Sequence, residues 1–422
     1  MTGGPSALRV ASAGIGVVGA SFGMARYGYG LLLPDIRASY GLTSGALGLI
    51  AAGSYLAYVA ASAAVGPLTA RLGARRLVVL GGCCATCGML LAGLSATPLV
   101  LALGVLIGGA RCGLVFPPFS DAVEALVAPA RRARTLAAVS SGTGYGVAIA
   151  VPIALVAGSA WRSAWLAFAA VSMVVTLWAA RVLPSADTRP MSRGLPRISW
   201  SWLVCPRSGP LLVGALLLGL AASVYWTFAV DYLVTQGSLP TTTSRLFLAL
   251  VGAASVLGTL AGDLLRHVSP AGAFSAVTAM LAGSLGLLAA APASLGAAAL
   301  SGVLFGASFN LIVAIQSIWT SRIFAERPSA GLAAVMFTLG LGLLIGPPAA
   351  GLLADRLGLG AVFLLAAALA AIVGVLPPRE RLVPAGTELP WARQFQPPRR
   401  KRSPRSRHSR YGVRRAALQR GR

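Results

Sequence analysis

The chain has 422 residues, of which 56% are hydrophobic and 11% charged, and its mean hydropathy is +0.79. A soluble domain needs far more polar surface to cover its core, so these values exclude a soluble enzyme or binding module. The formal net charge of +25 would suggest nucleic acid in a soluble protein, but about half of the excess sits in one tail: residues 379–422 hold fourteen Arg or Lys against Glu380 and Glu388.

Apolar runs bounded by Pro, Gly or charge clusters fall at 10–33, 44–65, 77–94, 99–122, 136–156 and 165–182. A polar, basic stretch follows, and then six more runs at 211–230, 246–265, 271–291, 294–319, 332–353 and 361–376. Each is near the length that spans a bilayer as a helix. The expected fold is an all-α membrane protein of twelve transmembrane helices in two six-helix bundles. Its expected divisions are 1–183 and 210–376 for the bundles, 184–209 for a linker, and 377–422 for a basic tail without periodicity, read as disordered. The first run follows a short N-terminus without a clear cleavage site, so it is read as a retained helix.

Arginine placement sets the expected orientation, because cationic loops resist translocation. With the N-terminus inside, fifteen arginines from Arg9 to Arg327 are cytoplasmic, against Arg37, Arg162, Arg245 and Arg356 outside. An even number of spans also puts the tail inside, so the expected location is the cell inner membrane with both termini cytoplasmic. Anionic lipid headgroups are then the tail's expected partners, and nucleic acid is not.

The chain repeats itself at an offset of about 196. Leu136-Ala137-Ala138-Val139 recurs as Leu332-Ala333-Ala334-Val335, and Gly144, Gly146, Ile149 and Pro152 match Gly340, Gly342, Ile345 and Pro348. Gly23, Tyr29, Asp35 and Gly41 match Gly219, Tyr225, Asp231 and Gly237. With a two-residue slip, Gly104 and Gly108 align with Gly302 and Gly306. An offset that spans six helices makes the halves like-oriented, which is the parallel, pseudo-symmetric arrangement. Two such bundles can rock about a central site and expose it to each side in turn, a geometry suited to moving a solute.

The segment after the second run reads Gly66-Pro67-Leu68-Thr69-Ala70-Arg71-Leu72-Gly73-Ala74-Arg75-Arg76. It resembles the major facilitator loop signature G-x-L-x-D-R-x-G-R-R, with Ala70 where the family has Asp. The resemblance implies a secondary transporter working by alternating access, with a gating loop of Gly66, Arg71, Gly73, Arg75 and Arg76. Asp121 or Glu124 is the expected substitute for the missing acid. Phe22 to Pro34 looks like the opening of the YbfB/YjiJ branch of that superfamily. A second copy of the signature, Gly351 to Gly358, aligns with the opposite side and is read as a decoy.

Charges inside apolar runs cost roughly 2.5–3.5 kcal/mol each at a helix centre and persist only with a partner or a cavity. Arg26 and Arg111 qualify. Arg26 shares a stripe with Gly19, Gly23 and Gly30 and should face protein. No carboxylate is expected at that depth, since Asp35 follows Pro34 and Asp231 is its repeat partner. Two deep cations without a deep anion favour a small organic anion as substrate. Tyr27, Tyr145, Tyr225, Trp226 and Asn310 are further candidates for the lining of a central cavity. The alternatives are carbonyl-satisfied arginines with substrate held elsewhere, a proton-coupled drug or metabolite efflux antiporter, and a non-transporting receptor or scaffold.

Five cysteines form no disulfide framework, and Cys84 with Cys87 is read as apolar packing. The histidines are His267 and His408, so neither metal, cofactor nor enzymatic catalysis is expected. The chain is expected to work as a monomer.

Overall fold

The computed structural model describes residues 6–184, 208–260, 264, 268–324 and 328–375. The expected tail, and all but the ends of the expected linker, lie outside the described residues. Ten helices among the described residues are long and apolar enough to cross a membrane, and two shorter apolar helices complete the set. In the first half these are α1 (Ala7–Tyr40), α2 (Ser44–Leu72), α3 (Ala74–Gly93), α4 (Pro98–Leu126), α5 (Pro129–Ala157) and α6 (Trp161–Val182). In the second they are α7 (Gly209–Thr235), α8 (Thr241–Ala254), α9 (Pro270–Ala290), α10 (Leu295–Ile323), α11 (Pro328–Leu357) and α12 (Leu359–Gly374). Thr43, Thr97, Ser269 and Ser294 cap the starts of α2, α4, α9 and α10 by accepting from backbone N–H groups. Large apolar side chains such as Leu49 and Val156 point outward while ionic groups lie within, the reverse of a soluble surface.

The sequence repeat is a repeat of contacts. In the first half α1 packs on α5, α2 on α4 and α3 on α6; in the second, α7 packs on α11, α8 on α10 and α9 on α12. Gly23 meets the backbone of Gly146, and the equivalent Gly219 meets that of Gly342. A Cβ at either position would collide with the opposing backbone, so the helices approach this closely only through glycine. Gly30 packs on the carbonyl of Trp226, its own repeat equivalent. Equivalent positions that touch one another mark the pseudo-twofold axis. The register read for α4 and α10 is corrected. Gly302 and Gly306 pack on α8 in the way that Gly109 and Gly113 pack on α2, whereas Gly104 and Gly108 pack on α3.

Two features of α1 differ from expectation. Pro34 lies inside the helix rather than ending it, among the buried Leu31, Leu32, Leu33 and Ile36. Proline removes one intrahelical bond, and close packing on the flanking turns holds the helix together. Gly19–Arg26 is wound as a π-helix, which changes the angular step per residue. The expected single stripe therefore splits: Gly19 and Gly23 face α5, Gly30 faces α7, and Arg26 turns toward α2.

The halves meet through α2 with α11, α5 with α8, and α1 with α7. Gly45 lies against Asp355, Gly48 against Pro347, and Gly340 against Tyr58 and Val59. These contacts occupy the part of α2 nearest α1. Further along, Gly66 is exposed and nothing approaches it, so the seam is closed at the α1–α2 end.

Candidate functional site

The helices set Arg26 beside Tyr55 and Tyr58 of α2 within the first half, and bring its neighbour Tyr27 against Trp226 across the halves. The Arg26 guanidinium carbon is 5.5 Å from the Tyr55 ring, 5.9 Å from Tyr27 and 6.0 Å from Tyr58, within reach of cation–π attraction. Its Nε is buried without a hydrogen-bond partner. Arg26, Ser54, Tyr55, Tyr58, Gly109 and Cys112 line one small cavity. The Tyr27 ring lies 4.3 Å from that of Trp226 across the interface. Trp226 is in turn edge-on to Phe305 and Phe309 at 5.3 and 5.9 Å, and its Nε1 also has no partner.

The other candidates are placed elsewhere. Arg111 is 1% exposed and donates from Nε to the Ser21 carbonyl at 2.6 Å and from Nη1 to the Gly108 carbonyl. It lines a separate cavity with Met89 and Trp165, and its Nη2 is buried without a hydrogen-bond partner, so carbonyls of its own bundle satisfy this arginine only in part. Tyr225 is a core residue: its hydroxyl is 2.8 Å from Ser301 Oγ, and its ring stacks on Phe305 at 3.7 Å. Asn310 donates its amide to the Ser255 carbonyl at 3.3 Å. Tyr145 is 58% exposed on a stripe of α5 with Ser141, Ile149, Pro152 and Val156 and does not join the Arg26 cluster. Gly142 and Gly146 on the same helix pack against α1.

In the loop signature, Gly73 takes a φ of +78° that lets α2 turn directly into α3. Arg71 and Arg76 are exposed, and Arg75 donates to the Ala180 carbonyl at 3.1 Å. Among the described residues, Asp121 forms an ion pair with none of the three. Gly358 makes the same turn with φ +81° between α11 and α12, at the opposite end of the bundle, as the decoy reading requires.

The expectation that Asp35 lies beyond the first helix is corrected: it lies within α1, near the Tyr40 end. Asp231 lies near the end of α7, as expected, and is fully buried there. Each binds an arginine of the other half. Arg37 donates from Nε to Asp231 Oδ1 at 2.9 Å and from Nη2 to Oδ2 at 2.7 Å. Arg245 donates from Nη2 to Asp35 Oδ2 at 2.7 Å and from Nη1 to the Ala154 carbonyl at 2.6 Å. Arg37 and Arg245 were read as lying in loops, and both belong to helices. A third acid, Asp355 on α11, accepts from the backbone N–H groups of Ser44 and Gly45 at 2.8 and 2.9 Å. This places a carboxylate on the positive end of the α2 dipole. All three clasps cross the seam at the α1–α2 end.

Tyr55 and Tyr58 were not among the sequence candidates. Their spacing of three on one helix face, opposite a helix carrying a deep arginine, is the signal that could have found them.

Comparison with known proteins fits this architecture. The family model described as Major Facilitator Superfamily matches residues 15–327. The transcription regulatory protein OpdE of Pseudomonas aeruginosa is 28% identical over 295 residues, covering 67% of this chain and 71% of that protein. Monocarboxylate transporter 11 of Mus musculus is 28% identical over 389 residues, covering 83% and 81%. The crystal structure of the nucleoside transporter NupG superposes with a TM-score of 0.70 at 14% identity, over 87% of this chain and 97% of that one, and so shares the fold. The chain is a multi-pass membrane protein that belongs to the Major Facilitator Superfamily.

Proposed function

We propose that the protein is a secondary transporter that moves a small organic anion by alternating access. The carrying observation is Arg26, a guanidinium in the apolar interior with aromatic rings around it and a buried, unpartnered Nε. A cation so placed is costly unless something neutralises it, and a bound carboxylate would do so with charge-assisted hydrogen bonds. The name of the Mus musculus relative, a monocarboxylate transporter, supports the same solute class.

In this reading the α1–α2 end faces outward and the described state is open to the cytoplasm. The bundles 1–183 and 210–376 tilt about the Gly30–Trp226 axis, the acid clasps part, and the loop from Gly66 to Arg76 closes the other side. The basic tail, 377–422, lies against anionic headgroups of the inner membrane, and a monomer suffices. The Phe22–Pro34 segment supports the YbfB/YjiJ branch. Uptake into proteoliposomes of a panel of labelled organic anions and cations, under imposed pH and voltage gradients, tests the reading. Uptake of anions is expected, and uptake confined to cations would refute it.

The name of the Pseudomonas relative favours a second reading, a membrane regulator on the same fold. That reading gains if no solute is moved.

A further inference from the structure

Apart from Arg26 and independent of its reading, we propose that the first half holds a buried halide site, a chloride bound at Arg111. Arg111 is 1% exposed and Trp165 is 2% exposed. Both line one cavity among α1, α3, α4 and α6, whose other walls include Gly88, Met89, Gly104 and Val105. Arg111 Nη2 and Trp165 Nε1 are both buried N–H groups without an acceptor. A buried donor left unpaired is costly, and two donor residues on one cavity can share an acceptor placed in it. Gly108 leaves the guanidinium its room, since a Cβ there would stand 3.2 Å from Arg111 Nη1.

The missing acceptor should carry charge. The carbonyls of Ser21 and Gly108 take two hydrogen bonds from Arg111 and leave its positive charge uncompensated. The ionisable groups that act on it are Cys112, Arg26, Tyr55 and Cys84, none of them a carboxylate and one of them a second cation. Asp231 and Asp35 are given to Arg37 and Arg245. A water molecule would accept from the donors but would not neutralise the guanidinium, and a cation at this depth calls for a counter-ion. Size then selects the anion. The cavity has room for about one water-sized particle, so a carboxylate with its carbon body or a tetrahedral oxyanion is too large, and a single-atom anion fits. Walls of glycine, alanine, valine and methionine offer little to a strongly hydrated ion such as fluoride, and chloride and bromide shed water more readily. Ala25 borders this cavity and Arg26 the other, as do Arg111 and Cys112, so the two sites flank the same stretch of α1 and α4. An anion at Arg111 would temper the repulsion between the two arginines.

The test is binding of radioactive chloride by the purified full-length protein in lipid nanodiscs, measured by equilibrium dialysis with gluconate holding the ionic strength constant. A single saturable site is expected, emptied by bromide and not by sulfate or acetate. Arg111→Gln should abolish it, and the difference from the parent separates the site from weak binding at the basic surface. Trp165→Phe keeps a ring against Phe168, removes the N–H, and should weaken binding about tenfold or more, the scale of one hydrogen bond to a charged group. Should Arg111→Gln fail to fold, Trp165→Phe decides the matter. Chloride should also raise the melting temperature of the parent more than that of Trp165→Phe. No saturable binding by the parent would mean that water alone fills the cavity, and would overturn the site. Binding unchanged in both variants, or lost in Arg26→Gln and kept in Arg111→Gln, would place the ion elsewhere and overturn it too. Acetate or sulfate competing as well as bromide would overturn the halide assignment. Organic anion uptake through Arg26 stands or falls by its own experiment, whichever of these results is found.

Discussion

Arg37 and Asp231 stand 194 positions apart in the chain and hold the two halves together through a two-pronged ion pair, with Nε and Nη2 of the one on Oδ1 and Oδ2 of the other. Asp35, the repeat equivalent of Asp231, makes the reciprocal bond to Arg245. The aspartates are related by the internal offset and the arginines are not, so the duplication supplied the acids and each half found its own cation.

Removing one partner of a buried pair leaves a desolvated charge behind, which costs about 3–5 kcal/mol. Asp231→Asn or Arg37→Gln alone should therefore lower stability on that scale, and the double variant should recover most of the loss. Thermal unfolding in detergent measures it. A double variant as unstable as the worse single one would show that the pair is not the source.

Asp355 acts on backbone rather than on a side chain, so its removal should be milder, about 1 kcal/mol. The clasp crosses the seam, and Asp355→Ala should loosen the α1–α2 end. In a background with the five native cysteines replaced, thiol labelling of Ser44→Cys should become several-fold faster when Asp355 is also changed to Ala. An unchanged rate would mean that the remaining contacts hold that end shut unaided.

Neighbouring glycines of α5 should respond in opposite ways. Gly146→Leu drives a side chain into the Gly19 backbone, an overpacking expected to cost about 1–3 kcal/mol. Gly144→Ala meets open space and should fold and express as the parent does. Equal behaviour of the two in unfolding or yield would contradict the α1–α5 packing described.

Tyr145→Leu should leave solute uptake within about twofold of the parent, the scale of surface changes away from a site, because the ring is exposed and outside the Arg26 cluster. A severe loss of uptake would restore Tyr145 to the candidate set.

Much of this architecture was legible in the residues. Span lengths and the 196 offset carried the twelve helices and their pairing, because lipid demands long apolar helices and duplication preserves the glycines at close contacts. Arg26 was legible because an ion in an apolar run is conspicuous. The acid clasps were not. Pro34 reads as a stop signal, and only the packing around α1 shows that the helix continues to Tyr40, which carries Asp35 and Arg37 into the bundle. The π-helical turn at Gly19–Arg26 was equally hidden, since a spacing of three or four assumes a regular α-helix throughout. For Arg111 the sequence showed the depth of the charge but not the backbone carbonyls that receive it.

Whether Arg26 holds the travelling anion is decided by anion uptake into proteoliposomes by Arg26→Ala and Arg26→Lys, set beside the parent protein and with folding checked by melting temperature. Arg26→Ala is expected to abolish uptake while the protein remains folded, and Arg26→Lys to retain a reduced fraction, since a point charge replaces the planar fork. Undiminished uptake by Arg26→Ala would contradict it.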